Sequence, residues 1–79
     1  MKVTIYTKEG CPPCTSLKQA LRFRLNDEDI KNVKFISKEN GVIPDTVKAF
    51  PTTIFNETGL TVVGFSSTIL DKILKEVLN

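Results

Sequence analysis

Apolar and polar residues alternate over residues 2–7, where Val3 and Ile5 flank a threonine. This period of two, together with the β-branched side chains, predicts a strand. Over residues 12–25 the apolar positions recur every three or four residues instead, at Cys14, Leu17, Leu21 and Leu25. That spacing predicts an amphipathic helix, and Pro12 suits its first position because an N–H there would have no partner inside the helix.

Three more strands are predicted in the rest of the chain, each a short run rich in β-branched or aromatic residues: residues 33–36, 52–55 and 60–63. The acidic segment 26–29 is interpreted as a break between the first helix and the second strand. Residues 44–49 have room only for a short helix, and Pro51 can open the strand that follows. The turn at residues 56–59 joins the last two strands into an antiparallel hairpin.

A second amphipathic helix is predicted at the end of the sequence. Thr68 and Asp71 have the spacing of a capping box, and paired apolar residues follow at intervals of four: Ile69, Leu70, Ile73, Leu74, Val77 and Leu78. The order of elements predicts an α/β fold, one mixed four-stranded sheet with flanking helices. The first two strands are expected to be parallel because a helix joins them. We expect a single domain over residues 1–79, since the chain is too short to form two domains.

Composition and charge exclude several classes of function. The chain has no His, which excludes histidine general bases, Cys-His or Ser-His nucleophile pairs and histidine metal sites. Its net charge of +2 is too small for the basic surface of a nucleic-acid-binding protein. No apolar run approaches the roughly 20 residues of a membrane span. Residues 1–25 nevertheless carry five Lys and Arg against one Glu, so the part that contains both cysteines is positive.

The sequence Cys11-Pro12-Pro13-Cys14 lies between a predicted strand and a predicted helix, which is the context of a redox-active dithiol. Cys11 falls at the helix N-cap, where free N–H groups and the helix dipole stabilise a thiolate. We therefore predict an exposed, nucleophilic Cys11 with a thiol pKa below the ordinary value of about 8.5, and Lys8 adds positive charge three residues earlier. Cys14 lies on the apolar face of the helix and suits the resolving role.

The two prolines limit the stabilisation of this thiolate. Pro13 has no N–H to donate, so chiefly the N–H groups of Cys14 and Thr15 remain. The prolines also stiffen the four-residue ring that a disulfide would close. We expect the thiolate to be stabilised, but incompletely.

Three interpretations without redox catalysis remain open for the two cysteines. A structural disulfide would close a ring of only four residues and contribute about 2 kcal/mol in the chain-entropy model. A zinc site would need carboxylates or a second chain, because the sequence has two thiols and no His. The third interpretation is a helix turn without chemistry.

Several segments of the chain carry a resemblance to a known family: the strand at residues 2–7, Lys8-Glu9-Gly10-Cys11-Pro12-Pro13-Cys14, Phe50-Pro51-Thr52 and Val63-Gly64-Phe65. Together they resemble the glutaredoxins over nearly the whole chain. The resemblance implies a minimal thioredoxin fold and a redox-active disulfide between Cys11 and Cys14, with no bound cofactor. The chain is also similar to the glutaredoxin-like redoxins that reduce ribonucleotide reductase with electrons from thioredoxin reductase.

The resemblance also implies which residues bind the substrate or glutathione. Phe50-Pro51 falls where the family has its cis-proline, which would turn the Phe50 backbone toward the dithiol and let a substrate chain pair with it as a strand does. Gly64 would allow a substrate backbone to approach closely. The full set of substrate-binding or glutathione-binding candidates is Lys8, Pro13, Phe50, Pro51, Gly64, Phe65 and Ser66.

Departures from the family leave the electron donor open between glutathione and thioredoxin reductase. Glutathione-using members usually have an aromatic residue in place of Pro13, a glycine pair in place of Val63-Gly64, and acidic residues in place of Ser66-Ser67. Of the residues compared with those members, only Lys8 and Gly64 are of the residue type usual in them. A simpler interpretation of the two serines is that they cap the last helix, and a solvated surface lysine is the alternative for Lys8.

The leading hypothesis is a small thiol–disulfide oxidoreductase that reduces protein disulfides, ribonucleotide reductase among them, without a bound cofactor or metal. The alternative is an iron-sulfur or metal carrier in which Cys11 from two chains and external thiols hold a cluster. A third class is a noncatalytic interaction module. Residues 1–8 alternate rather than form the apolar core of a secretory signal. We therefore expect a cytoplasmic monomer whose first residue belongs to the mature fold, with no nucleic-acid or membrane partner.

Overall fold

Four strands and three helices form the fold, which a computed structural model describes for residues 1–78. In chain order the elements are β1 (Val3–Thr7), α1 (Pro12–Arg24), α2 (Asp27–Ile30), β2 (Val33–Ser37), β3 (Thr52–Phe55), β4 (Thr61–Val63) and α3 (Ser67–Leu78). The strands make one mixed sheet in the order β2-β1-β3-β4, which confirms the predicted α/β fold class. None of the helices in this part of the chain is long and apolar enough to cross a membrane.

The register of the sheet brings three segments to the same edge. β1 pairs in parallel with β2, so Thr7 at the end of β1 lies opposite Ser37 at the end of β2. β3 is antiparallel to β1, and its first residue, Thr52, lies opposite Tyr6. The loops after β1 and β2 and the segment before β3 therefore meet at one edge of the sheet, where α1 begins.

The apolar stripe of α1 packs into the core, as its spacing predicts. Leu17 and Leu21 are completely buried, and Leu25 just after the helix is nearly so. They pack with inward-facing residues of the sheet and with α3, and the buried cluster comprises Val3, Ile5, Leu17, Leu21, Leu25, Val33, Phe55, Ile73, Leu74 and Val77. Burial of this stripe holds α1 against the sheet and so fixes where its N-terminus lies.

The predicted end of the first helix before residues 26–29 is confirmed, but the acidic segment begins a short helix, α2, that was not predicted. Asn26 is the N-cap of this short helix, and its side-chain oxygen accepts a hydrogen bond from the Asp29 N–H at 2.8 Å. The acidic residues of the first turn also suit the positive end of the helix dipole. The polar composition of the segment is that of a capped helix start.

The prediction of a short helix at residues 44–49 is also wrong. A hydrogen bond from the Val47 N–H to the Pro44 carbonyl oxygen, at 2.9 Å, closes a turn there that does not continue as a helix. One turn does not offset the cost of nucleating a helix. The following residue Phe50 precedes a proline and is therefore disfavoured in the helical conformation.

The N-cap of the last helix lies two residues before the predicted one, Thr68. The Ser66 Oγ accepts a hydrogen bond from the Ile69 N–H at 3.2 Å, and α3 starts at the next residue, Ser67. Thr68 is therefore the second residue of the helix and does not cap it. The alternative prediction, that Ser66 and Ser67 cap the last helix, is confirmed for Ser66, whereas Ser67 is the first residue of the helix.

Candidate active site

The two cysteines lie at the N-terminus of α1 and are joined by a disulfide bond. Cys11 is the N-cap, with the extended backbone typical of that position (φ −115°, ψ 95°). Pro12 and Pro13 occupy the first two positions of the helix, and Cys14 follows on its buried face. The Cα atoms of the cysteines are 5.2 Å apart, within the usual range for a disulfide.

One backbone N–H points at the sulfur of Cys11. The Cys14 N–H donates to the Cys11 Sγ at 3.3 Å. The Thr15 N–H donates instead to the Cys11 carbonyl oxygen at 3.1 Å, as the first hydrogen bond of the helix. The prediction that Thr15 also serves the sulfur is therefore wrong, because the helix itself uses that donor.

Both cysteines are buried, and in this respect the prediction of an exposed Cys11 is wrong. The exposed fraction is 6% for Cys11 and 2% for Cys14. The segment before β3 covers Cys11, since its Sγ lies 3.6 Å from the Phe50 carbonyl oxygen and the next residue, Pro51, is itself buried. The prediction that Cys14 shares a buried face with Leu17 is confirmed.

The segment that faces the disulfide contains the proline singled out by the resemblance. The Phe50–Pro51 peptide bond is cis, as the resemblance implies. The Gly64 N–H donates to the Pro51 carbonyl oxygen at 2.7 Å, which ties the end of β4 to this segment. Gly64 has φ +95° and open space where a Cβ would lie, so its backbone conformation, not crowding, favours glycine there.

Two lysines stand over the ring of Phe50. The Lys8 Nζ is 5.6 Å from the ring centroid and the Lys38 Nζ is 5.9 Å from it. Sequence reasoning identified Lys8 but missed Lys38. The signal that could have found it is topological, because Lys38 directly follows β2, and parallel strands end at the same edge of a sheet.

A carboxylate joins the turn after β2 to the loop before Cys11. Glu39 accepts hydrogen bonds from the Ser37 hydroxyl at 2.7 Å and from the Glu9 N–H at 3.1 Å. The bond from Ser37, followed by backbone hydrogen bonds and the nearby Lys38 charge, lowers the pKa of Glu39 from its ordinary value of 4.5. Glu39 is therefore ionised at neutral pH, and sequence reasoning gave no indication of this link.

The remaining candidates are spread around the dithiol. Pro13 is exposed on the first turn of α1, and Phe65 follows Gly64 with 36% of its surface exposed. The Ser66 hydroxyl caps α3. The structure thus brings the Phe50 backbone against Cys11, with Pro51 next in the chain and Lys8 on the Phe50 ring.

Polar side chains also border Cys14. A shallow polar cavity runs beside it, and its lining includes Thr7, Lys8, Thr15 and Lys18. Solvent can therefore reach the neighbourhood of the more buried cysteine. Residues 1–78 contain no cluster of three or more His, Cys, Asp or Glu side chains that could hold a metal ion.

Comparison with known proteins supports the fold but does not assign a family. The chain is similar to the crystal structure of the thioredoxin-like protein BC3987, with a TM-score of 0.67 and 21% identity over 92% of this chain and 100% of that one. A point mutant of the same protein aligns with a TM-score of 0.62 and 20% identity, over 99% of this chain and 100% of that one. No protein-family model and no curated protein matches the chain. The fold is thus thioredoxin-like, and a cysteine pair lies at the start of its first helix.

Proposed function

We propose that this protein is a thiol–disulfide oxidoreductase that reduces protein disulfides with the Cys11–Cys14 pair. One observation carries the proposal. The two cysteines form a disulfide at the N-terminus of α1, and the Cys11 Sγ faces the carbonyl oxygen of the residue before Pro51. A sulfur beside the half-buried Phe50 backbone suits a partner disulfide that is carried on an extended chain.

The reaction transfers two electrons in two exchange steps. In the reduced protein the Cys11 thiolate attacks one sulfur of the partner disulfide, forming a mixed disulfide while the other partner sulfur leaves and takes up a proton. The Cys14 thiolate then attacks the Cys11 Sγ and expels the second partner sulfur, which is also protonated. The partner gains two electrons and two protons, and the protein is left with its own disulfide.

The surroundings of the two sulfurs support this division of roles. The N–H that points at Cys11 and the positive end of the α1 dipole both stabilise negative charge on that sulfur. Cys14 lies deeper in the fold, among the buried residues of α1. A partner therefore meets Cys11 first, and Cys14 has only to reach across one helical turn.

Residues near the dithiol bear on which of two electron donors reduces the protein, glutathione or thioredoxin reductase. Lys8 and Gly64 are the features that favour glutathione, whereas Pro13 and the capping role of Ser66 favour a protein donor such as thioredoxin reductase. Ribonucleotide reductase is the protein substrate that the sequence resemblance suggests. The electron donor and the protein substrate are both parts of the proposal, and one turnover assay addresses them.

The test is a turnover assay in which this protein is the shuttle between NADPH and a protein disulfide. One arm supplies thioredoxin reductase, and the other supplies glutathione with its reductase. We expect NADPH consumption in one arm that depends on the protein and that Cys11→Ser abolishes. Absence of turnover in both arms, together with failure of the dithiothreitol-reduced protein to reduce any disulfide, would contradict the proposal. A brown protein with acid-labile sulfide would favour the carrier of an iron-sulfur cluster instead.

A further inference from the structure

Two lysine side chains share one aromatic ring beside the disulfide. Lys8 and Lys38 place their ammonium groups 5.6 Å and 5.9 Å from the centroid of the Phe50 ring. The carbonyl oxygen of the same residue lies 3.6 Å from the Cys11 Sγ. Both lysines therefore contact the ring of the residue whose backbone lies against the sulfur that a partner's disulfide would approach.

The two ammonium groups are not neutralised by ion pairs. Within residues 1–78 no carboxylate oxygen lies within 4.0 Å of either Lys8 or Lys38. The neighbouring carboxylate of Glu39 is engaged by the Ser37 hydroxyl and the Glu9 N–H. The two ammonium groups lie 5.6 Å and 5.9 Å from one ring centroid, so a carboxylate that comes close to Phe50 is attracted by two positive charges.

The backbone fixes the position of Lys38. Its own N–H donates to the Thr7 carbonyl oxygen at 2.8 Å. The next residue, Glu39, bonds the Glu9 N–H in the loop that leads to Cys11. The turn after β2 and the loop before the disulfide are thus joined, and the ring quadrupole of Phe50 further restrains each ammonium group.

We propose that Lys8 and Lys38 form a carboxylate-recognition site that selects protein partners with an acidic residue close to the reactive cysteine. The inference rests on the proposed function, because the partner's disulfide must reach Cys11. An extended partner segment lying along Phe50 would direct every second side chain to the same side. The excess of positive charge in residues 1–25 would attract the same kind of partner from a distance.

The test measures single-turnover rates of the pre-reduced, desalted protein with two disulfide peptides. The peptides differ only in the residues that flank the cysteine, which are Glu in one and Lys in the other. The wild-type protein should react faster with the acidic peptide. Lys38→Glu should lower the second-order rate constant for that peptide by about three- to tenfold and raise it for the basic one. Added salt should shrink both differences.

Three controls separate this site from a general charge effect. Lys75→Glu makes the same change of charge on α3, beside a cavity shared with Arg24 at the far end of α1 from Cys11, and should leave the preference unchanged. Glutathione disulfide tests whether the carboxylates of the small thiol are the ligand instead. Hydroxyethyl disulfide has no charge, so dividing each peptide rate by the rate with this compound removes any effect of Lys38→Glu on the reactivity of the Cys11 thiolate.

The outcomes distinguish the two proposals. Unchanged peptide rates in Lys38→Glu, an equal loss for both peptides, an equal effect of Lys75→Glu, or a loss confined to glutathione disulfide would overturn the recognition site. A wild-type protein that reduces none of these disulfides would contradict the proposed function itself. Lys38 is exposed, so its substitution leaves the buried core untouched.

Discussion

The two cysteines differ in burial and in hydrogen bonding, and these differences support the proposed roles. The Cys11 Sγ accepts the Cys14 N–H at 3.3 Å, and Cys11 is the less buried of the two. A hydrogen bond from a helix N-terminus stabilises a thiolate, whereas burial on an apolar face disfavours one. We therefore assign the attack to Cys11 and the resolving step to Cys14.

In the dithiothreitol-reduced protein, iodoacetamide should label Cys11 about tenfold faster than Cys14 near neutral pH, because the thiolate fraction is larger on Cys11. Both cysteines fall in the tryptic peptide of residues 9–18, so fragmentation by mass spectrometry locates the label. In the denatured protein the two rates should become similar. Equal rates in the folded protein across a pH series would refute the assignment of roles.

The residues of the site were predictable from the sequence only where local spacing or the family resemblance indicates them. The C-x-x-C spacing located Cys11 and Cys14, and the family resemblance located Pro51. The resemblance also turned the Phe50 backbone toward the dithiol, as observed, but neither source indicated the contacts of Lys38 with the Phe50 ring. Those contacts depend on how β2 and β3 pair with β1, which local spacing does not contain.

At the level of helices and strands, the start of α3 gives a sharp prediction. Ser66→Ala should lower the free energy of unfolding by about 1 kcal/mol, because the Ile69 N–H loses its acceptor. Thr68→Ala is the matched control and should change it by less than about 0.5 kcal/mol, since Thr68 is an exposed residue inside the helix. Urea denaturation of the three proteins measures both values. A larger loss in Thr68→Ala would restore the capping box predicted from the sequence.

The helices show why periodic segments are easier to predict than short ones. The stripe of α1 repeats over several turns, and its buried leucines are those that the spacing indicates. α2 has only four residues, too few for a repeat, so its signal lies in the Asn26 cap. Residues 44–49 are also a short segment, but Ile43 stands before them in place of a capping side chain, and they form a turn.

For the whole molecule, the sheet order explains how distant segments assemble one site. Because β1 is central and pairs with β2 and β3, the loop with Cys11, the turn with Lys38 and the segment with Pro51 meet at one edge. The chain shares this fold with the thioredoxin-like protein BC3987 at 21% identity, and no family model matches it. We infer that the fold positions the site and that a few side chains at this edge decide its partners.

The central claim is that Cys11 attacks a partner and Cys14 completes the exchange, and trapping the intermediate tests it most directly. Reduced Cys14→Ser, mixed with a protein disulfide, should stop at a mixed disulfide because serine provides no thiolate to displace the partner. Mass spectrometry should find one partner per chain, attached through Cys11 and released by dithiothreitol, while Cys11→Ser forms little adduct. An adduct formed preferentially by Cys11→Ser would reverse the roles, and no adduct from either variant would contradict dithiol exchange.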